Sequence, residues 1–304
     1  MKYNRQNPLR VFTAFSGYDS QCLALDRLMA EYPQFAYKLV GWSGIDKSAI
    51  IAHNALYPRE KDLNFGDICN IEWESVPDFD LFTYSFPCTD ISAAGLQQGL
   101  SKDSGTRSSL LWECEKAIRV KRPKFLLMEN VKALVQKKFI KDYHAWVSLL
   151  DGYGYVSWGK VLNAKDYGVP QNRERIFLVS IRIDGLESFT PEFQFHFPKP
   201  FPLEKRLKDV LEEKVDEKYY LSDKMLDYFN RVSDDKSHGH DFKPQDGGYC
   251  VRNKDCTRSE SGRQLCIQRE GRVNSSQDGL VVSTDGISQC HSAGHGNCPK
   301  VIEE

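Results

Sequence analysis

Long apolar runs are missing from this 304-residue chain: no stretch reaches the ~18 consecutive apolar residues of a membrane-spanning helix. The opening residues Met1-Lys2-Tyr3-Asn4-Arg5-Gln6 also lack the apolar stretch of an export signal. A cytoplasmic location and no membrane partner are therefore expected. Charge of one sign is absent too, since the formal net charge is -1 at pH 7, so the total announces no polyanionic partner. The cysteines are nine in number, odd and scattered, which argues against a disulfide framework and for reduced thiols. There is no paired Cys-x-x-Cys, and the spacing of Cys250, Cys256, Cys266, Cys290 and Cys298 with His291 and His295 does not suit zinc, so no metal is expected. The lack of Gly-x-Gly-x-x-Gly argues against a nicotinamide dinucleotide. No internal repeat is visible.

What is present alternates. Apolar runs at 11–15, 39–45, 81–86 and 125–128 read as strands, and amphipathic segments at 19–31, 47–56, 108–120 and 139–150 read as helices. Two later runs, 156–162 and 176–183, read as further strands. This is the pattern of an α/β domain with a parallel sheet. In such sheets ligands bind beyond the carboxyl ends of the strands, and Gly17, Asp46, Cys88 and Glu129 each follow an apolar run. From 189 to 202 the chain turns aromatic and proline-rich, 203–229 reads as a charged helical connector, and Gly, Ser, Asp, Asn and Lys dominate beyond Arg231. Short strands are expected there at 264–268 and 279–283. Between Lys116 and Lys141 nine basic residues face Glu129 alone, a local excess suited either to phosphates or to a solvated helical face.

Three clusters carry chemistry: Ser85-Phe86-Pro87-Cys88, Glu129-Asn130-Val131 and Gln171-Asn172-Arg173-Glu174-Arg175. A thiol, a carboxyl group and two guanidinium groups form a set able to add a nucleophile across a pyrimidine ring. Carbon 5 of cytosine becomes nucleophilic once a thiolate has added at carbon 6, and sulfur is the best side-chain atom for that step near neutral pH. Cys88 is the candidate nucleophile, projecting from a turn stiffened by Pro87. Glu129 is the candidate partner of ring nitrogen 3, with Asn130 orienting its loop. Arg175 suits the carbonyl oxygen of the base, and Arg173 a phosphate or the catalytic loop. Phe15-Ser16-Gly17-Tyr18 after the first strand, Asp46 after the second, and Gly66-Asp67-Ile68 offer backbone approach, a ribose acceptor and an adenine contact for a nucleoside cofactor without pyrophosphate.

These segments resemble the C5-cytosine DNA methyltransferases of bacteria and their phages. The resemblance rests on Phe15-Ser16-Gly17, 41–46, Gly66-Asp67-Ile68, Phe86-Pro87-Cys88, Glu129-Asn130-Val131 and 171–175, in the family's order over roughly residues 8–183. It implies a Rossmann-like class I S-adenosylmethionine-dependent methyltransferase sheet with a smaller, loop-rich target-recognition domain. It further implies S-adenosylmethionine as donor, held by Phe15, Gly17, Tyr18, Asp46, Asp67, Ile68 and Pro87, and Cys88, Glu129, Arg173 and Arg175 as catalytic residues. The DNA partner would be double-stranded, with the target base flipped out and contacts from Ser92, Arg107 and Gln171. The stretch 92–107 would close over that base.

The expected division is a catalytic domain at 1–190, a connector at 191–230 and a recognition region at 231–304. Three departures stand out. Asp19 occupies the position of a second glycine, Thr89 follows the nucleophile where glutamine is commoner, and the family's closing segments have no counterpart, because Gly296-Asn297 runs into Cys298-Pro299. The last departure implies an incomplete recognition region, weak donor binding by the chain alone, and a monomer with, as one option, a complementing C-terminal polypeptide. Two other readings are a cytosine-5 methyltransferase acting on transfer RNA and a non-catalytic DNA-binding fragment. The biological role would be restriction-modification or phage anti-restriction.

Overall fold

The computed structural model describes residues 2–87, 110–184 and 193–213, together with the backbone of six short strands between 256 and 302. The chain divides into two units, one of residues 1–161 and 175–197, the other of residues 162–174 and 198–304.

In the first unit, β1 (Leu9–Ala14), β2 (Tyr37–Ser43), β3 (Leu81–Tyr84), β4 (Phe125–Val131), β5 (Tyr155–Asn163) and β7 (Glu174–Arg182) form one sheet in the order β2-β1-β3-β4-β7-β5. The first four strands run parallel, as the alternation of strand and helix requires, but β7 lies antiparallel to β4, so the sheet is mixed and not wholly parallel. The reason is connection length. A parallel neighbour needs a crossover of about a dozen residues or more, and only residues 164–173 separate β5 from β7.

The helices are α1 (Ser20–Glu31), α2 (Lys47–Leu56), α3 (Leu111–Lys121) and α4 (Ile140–Gly152). Asp19 and Asp46 cap α1 and α2 by accepting from the N–H groups of Cys22 and Ala49. Helix α3 ends where Arg122 turns left-handed at φ 47° and Pro123 follows. Alternate residues of β1 serve two cores. Leu9 and Val11 pack with Cys22, Leu25, Leu39 and Trp42, whereas Phe12 and Ala14 pack with Tyr84, Leu111, Ile118 and Trp146. Covering both faces is what makes the central strands apolar throughout.

The amino-terminal edge of this sheet is fastened by Asp80. Its carboxylate accepts from Arg10 N at 3.2 Å, Nε at 3.0 Å and Nη2 at 3.2 Å, and lies 3.3 Å from Lys124 Nζ. Burial pushes its pKa up, but the hydrogen bonds from Arg10 and Lys124 outweigh burial and hold it below the ordinary 3.8. A carboxylate depressed in the folded state stabilises fully above its unfolded pKa and loses that contribution as pH falls through the folded value. Asp80→Asn is therefore expected to cost about 1.5–3 kcal/mol near pH 7. The difference from wild type should shrink at about pH 3 and below, as measured by urea denaturation at both pH values. A penalty equal at both would contradict the assignment.

In the second unit, Tyr167 Oη donates to Pro198 O at 3.0 Å and Phe201 N–H to Asp166 O at 3.1 Å, while Leu203 and Leu207 are buried. The expected helix at 203–229 is not found in its described part. Residues 203–213 hold one 3-10 turn, Leu207–Val210, flanked by extended backbone. Leu203 and Leu207 are buried all the same, so tertiary context overrides the helical propensity of this charged stretch. Residues 214–229 lie outside the described residues. Strand β6 (Gln171–Asn172) pairs in parallel with β12 (Ser288–Gln289). Strands β10 (Arg269–Arg272), β11 (Leu280–Ser283) and β13 (Lys300–Ile302) form a three-stranded sheet, and β8 (Cys256–Arg258) pairs with β9 (Gln264–Cys266). The strands expected near 264 and 280 correspond to β9 and β11.

Candidate active site

Register gathers the site. Ala14 pairs with Ser43 and with Tyr84, and Tyr84 with Met128, so β1, β2 and β3 end level with one another while β4 runs on to Val131. The segments starting at Phe15, Gly44 and Ser85 therefore emerge along one edge, beside the end of β4 that carries Glu129. Strand β7 brings Arg175 to the same edge, opposite Val131.

At this edge Arg175 Nε lies 3.0 Å from Glu129 Oε1, with side-chain exposures of 15% and 24%. The half-buried pair strengthens relative to one exposed to water. Asn130 is buried, and its Nδ2 donates to Phe86 O at 3.0 Å while its Oδ1 accepts from Val131 N–H at 2.8 Å. The backbone two residues before Cys88 is thus tied to the residue after Glu129. Cys88, Ser92 and Arg107 lie outside the described residues. The described thiols of Cys22, Cys69 and Cys114 are all pushed up in pKa, chiefly by burial, Cys69 to about 11 with added help from Asp67, so none is an activated nucleophile.

The turn after β1 is unusual. Phe15, Gly17 and Asp19 take φ values of 57°, 59° and 67°, a left-handed conformation that costs energy for the two non-glycine residues. Side-chain bonds hold it. Thr13 Oγ1 donates to Asp19 Oδ2 at 2.8 Å, so the Ser16 hydroxyl donates in turn to Thr13, whose Oγ1 and carbonyl oxygen lie 2.8 and 2.9 Å away. A side chain built on Gly17 would meet nothing within 4 Å, and the same holds for Gly66 at φ +74°, so both turns leave open space beside bare backbone. Phe15 is partly buried against the core and Tyr18 is 53% exposed. Asp46 is exposed and uses Oδ1 to cap α2 at 2.7 Å, and Asp67 Oδ1 accepts from Cys69 N–H at 3.0 Å. Ile68 is a core residue, 3% exposed, and Pro87 is partly buried.

Gln171 and Arg173 belong to the second unit. There Gln171 is part of β6, and Arg173 N–H donates to Asn163 Oδ1 at 3.0 Å. Sequence reasoning missed Asn64, which links the turns after β2 and before Asp67. Its Oδ1 accepts from Gly66 and Gly44 N–H at 2.9 and 3.3 Å, and its Nδ2 donates to Gly44 O at 3.1 Å. A polar residue in an irregular stretch carries no periodic signal that could have singled it out. The basic run also changes character. Lys116, Arg119, Lys121, Arg122 and Lys124 form ion pairs with Glu113, Glu115, Asp78, Asp184 and Asp80 respectively.

A doubly covered α/β sheet with polar turns collected at its carboxyl edge defines the open α/β class, in which ligands bind at that edge. Comparison with known proteins gives the rest. The sequence profile described as C-5 cytosine-specific DNA methylase matches residues 9–300. The type II methyltransferase M2.ScrFI of Lactococcus lactis subsp. cremoris is 39% identical over 75% of this chain and 72% of its own length. The orphan methyltransferase M.SPRI of Bacillus phage SPR is 29% identical over 97% and 66%, and M.SssI of Spiroplasma monobiae 39% over 58% and 45%. The chain thus spans between 45% and 72% of the lengths of these three relatives. In fold, the structure of S. pombe Dnmt2 methyltransferase is similar at a TM-score of 0.57 with 17% identity, covering 96% of this chain and 73% of that one. The chain belongs to the C-5 cytosine-specific DNA methylase family. Among the described residues no helix is long and apolar enough to cross a membrane.

Proposed function

We propose that this chain transfers a methyl group from S-adenosylmethionine to carbon 5 of cytosine in double-stranded DNA. The observation that carries the reading is the Glu129–Arg175 pair at 3.0 Å on the same strand edge as Phe86-Pro87, whose backbone Asn130 holds. Cys88 follows directly and is the nucleophile. Its thiolate adds to carbon 6, Glu129 in its protonated form donates to ring nitrogen 3, and Arg175 steadies the carboxyl group and the base oxygen. Arg173, Gln171, Ser92 and Arg107 serve the DNA side.

The open, left-handed turns at Gly17 and Gly66 and the acceptors Asp46 and Asp67 suit a nucleoside donor. Once bound, S-adenosylmethionine supplies an electrophilic methyl group on a sulfonium. Gly17 gives backbone approach beside Phe15 and Tyr18, the oxygen of Asp46 not used in capping accepts from ribose hydroxyls, and Asp67 with the backbone of Ile68 meets the adenine edge. Pro87 keeps the Cys88 backbone rigid beside that pocket.

The relatives include both type II and phage orphan methyltransferases, and a role in restriction-modification or in phage anti-restriction is compatible with this chemistry. Tritium from the labelled methyl group of S-adenosylmethionine should enter duplex DNA and not transfer RNA, and bisulfite sequencing should place it at cytosine carbon 5. Label confined to transfer RNA, or none with a folded chain, would refute the proposal.

A further inference from the structure

We propose that the buried Asp19–His53 couple is a positioning device for the donor pocket, holding the Phe15–Asp19 turn and helix α2 in one relation. The inference rests on the S-adenosylmethionine reading and names residues that reading does not use. Asp19 is fully buried in a conformation that glycine adopts readily, so a carboxylate there carries both a desolvation cost and backbone strain. Such a residue persists only where its surroundings over-determine it. Thr13 Oγ1 and Cys22 N–H donate to it at 2.8 and 3.3 Å, and His53 Nε2 lies 3.5 Å from Asp19 Oδ2.

His53 is equally buried, and its ring stacks on Trp42 with centroids 3.8 Å apart and planes 22° from parallel. Trp42 is itself pinned, since its Nε1 donates to Glu60 O at 2.9 Å. Among the described residues neither ring nitrogen of His53 makes a hydrogen bond of good geometry, and the nearest carboxylate oxygen is Asp19 Oδ2 at 3.5 Å from Nε2. A buried imidazole without a well-formed hydrogen bond carries a desolvation cost, and a role in holding the turn against α2 accounts for its retention. The two residues stand on the two elements that frame the pocket. Asp19 closes the turn containing Gly17, and His53 lies on the helix whose cap is Asp46. Removing the couple loosens the turn against the helix while leaving the Glu129–Arg175 pair in place.

The test uses the whole chain with Asp19→Gly, which keeps the left-handed backbone, and His53→Phe, which keeps the stack on Trp42. Each variant should raise the Kd for S-adenosylmethionine in calorimetric titration, and its KM in turnover, about five- to tenfold, the scale of one net polar contact. The kcat at saturating donor and the KM for DNA should stay unchanged, and the double variant should be no worse than either single one. If thermal melting finds His53→Phe unfolded, Asp19→Asn takes its place, since asparagine tolerates the same φ. Folded variants that bind the donor as tightly as wild type overturn the couple's role alone. A wild-type chain that binds no donor overturns the donor reading together with it.

Discussion

The wild-type chain is expected to form a covalent complex with duplex DNA containing 5-fluorocytosine, and alanine at position 88 is expected to abolish it. In the proposed reaction sulfur forms a bond to carbon 6, and the displaced ring electrons make the new bond at carbon 5. Loss of the proton from carbon 5 then returns an electron pair to the ring and expels the thiolate. Fluorine at carbon 5 leaves no proton to lose, so the carbon–sulfur bond persists and survives denaturing electrophoresis. Cys88→Ala has no sulfur to form it. The described alternatives are poor, because Cys22 and Cys114 are buried and Cys69 is pushed up to about pKa 11. A retained adduct in Cys88→Ala, or peptide mapping of the adduct to any other cysteine, would sink the nucleophile assignment and the mechanism built on it.

Glu129→Gln is expected to lower kcat by about 10²–10³-fold, the range for removing one group aimed at charge that develops in the transition state. The amide keeps the shape and one hydrogen bond to Arg175 but cannot pass a proton to the ring. The KM for S-adenosylmethionine should not move, because Glu129 and Arg175 are assigned to the base and not to the donor pocket. Adduct formation with 5-fluorocytosine DNA should slow in parallel with turnover. The Arg175 guanidinium, 15% exposed, would lose its anionic partner, so a melting curve must accompany the kinetics. A variant that stays folded with kcat near wild type would mean that Glu129 is an ion-pair residue and nothing more.

Much of the first unit was legible from periodicity. Helix α2 falls at Lys47–Leu56 as expected, and β1, β2, β4, α1, α3 and α4 lie within a few residues of the segments read from apolar spacing. Those signals are local: an N-cap aspartate, an apolar stripe, a proline after the last turn. The strand at 176–183 was recognisable, whereas its direction was not, because direction depends on what connects and neighbours it. The stretch 203–213 misled for the converse reason. Its spacing of leucines and charges is helical, yet the chain buries Leu203 and Leu207 along an extended path with one tight turn. Glu129 and Arg175 stood out as residue types after or before apolar runs. Their pairing across forty-odd positions did not, since it follows from the antiparallel register of β4 and β7.

The chain's order of residues alone determined the elements, the alternation that builds an open α/β sheet, and the chemical inventory of thiol, carboxyl and guanidinium groups. These depend on interactions between near neighbours, which are written consecutively. Tertiary structure decided which groups meet: Glu129 with Arg175, Asn130 with the Phe86 carbonyl, Asp19 with His53, and Asp80 with Arg10 and Lys124. It also decided that five cations of the basic run face carboxylates of their own unit. Such encounters depend on strand order, register and burial, and these are properties of the packed whole that no short window of sequence contains.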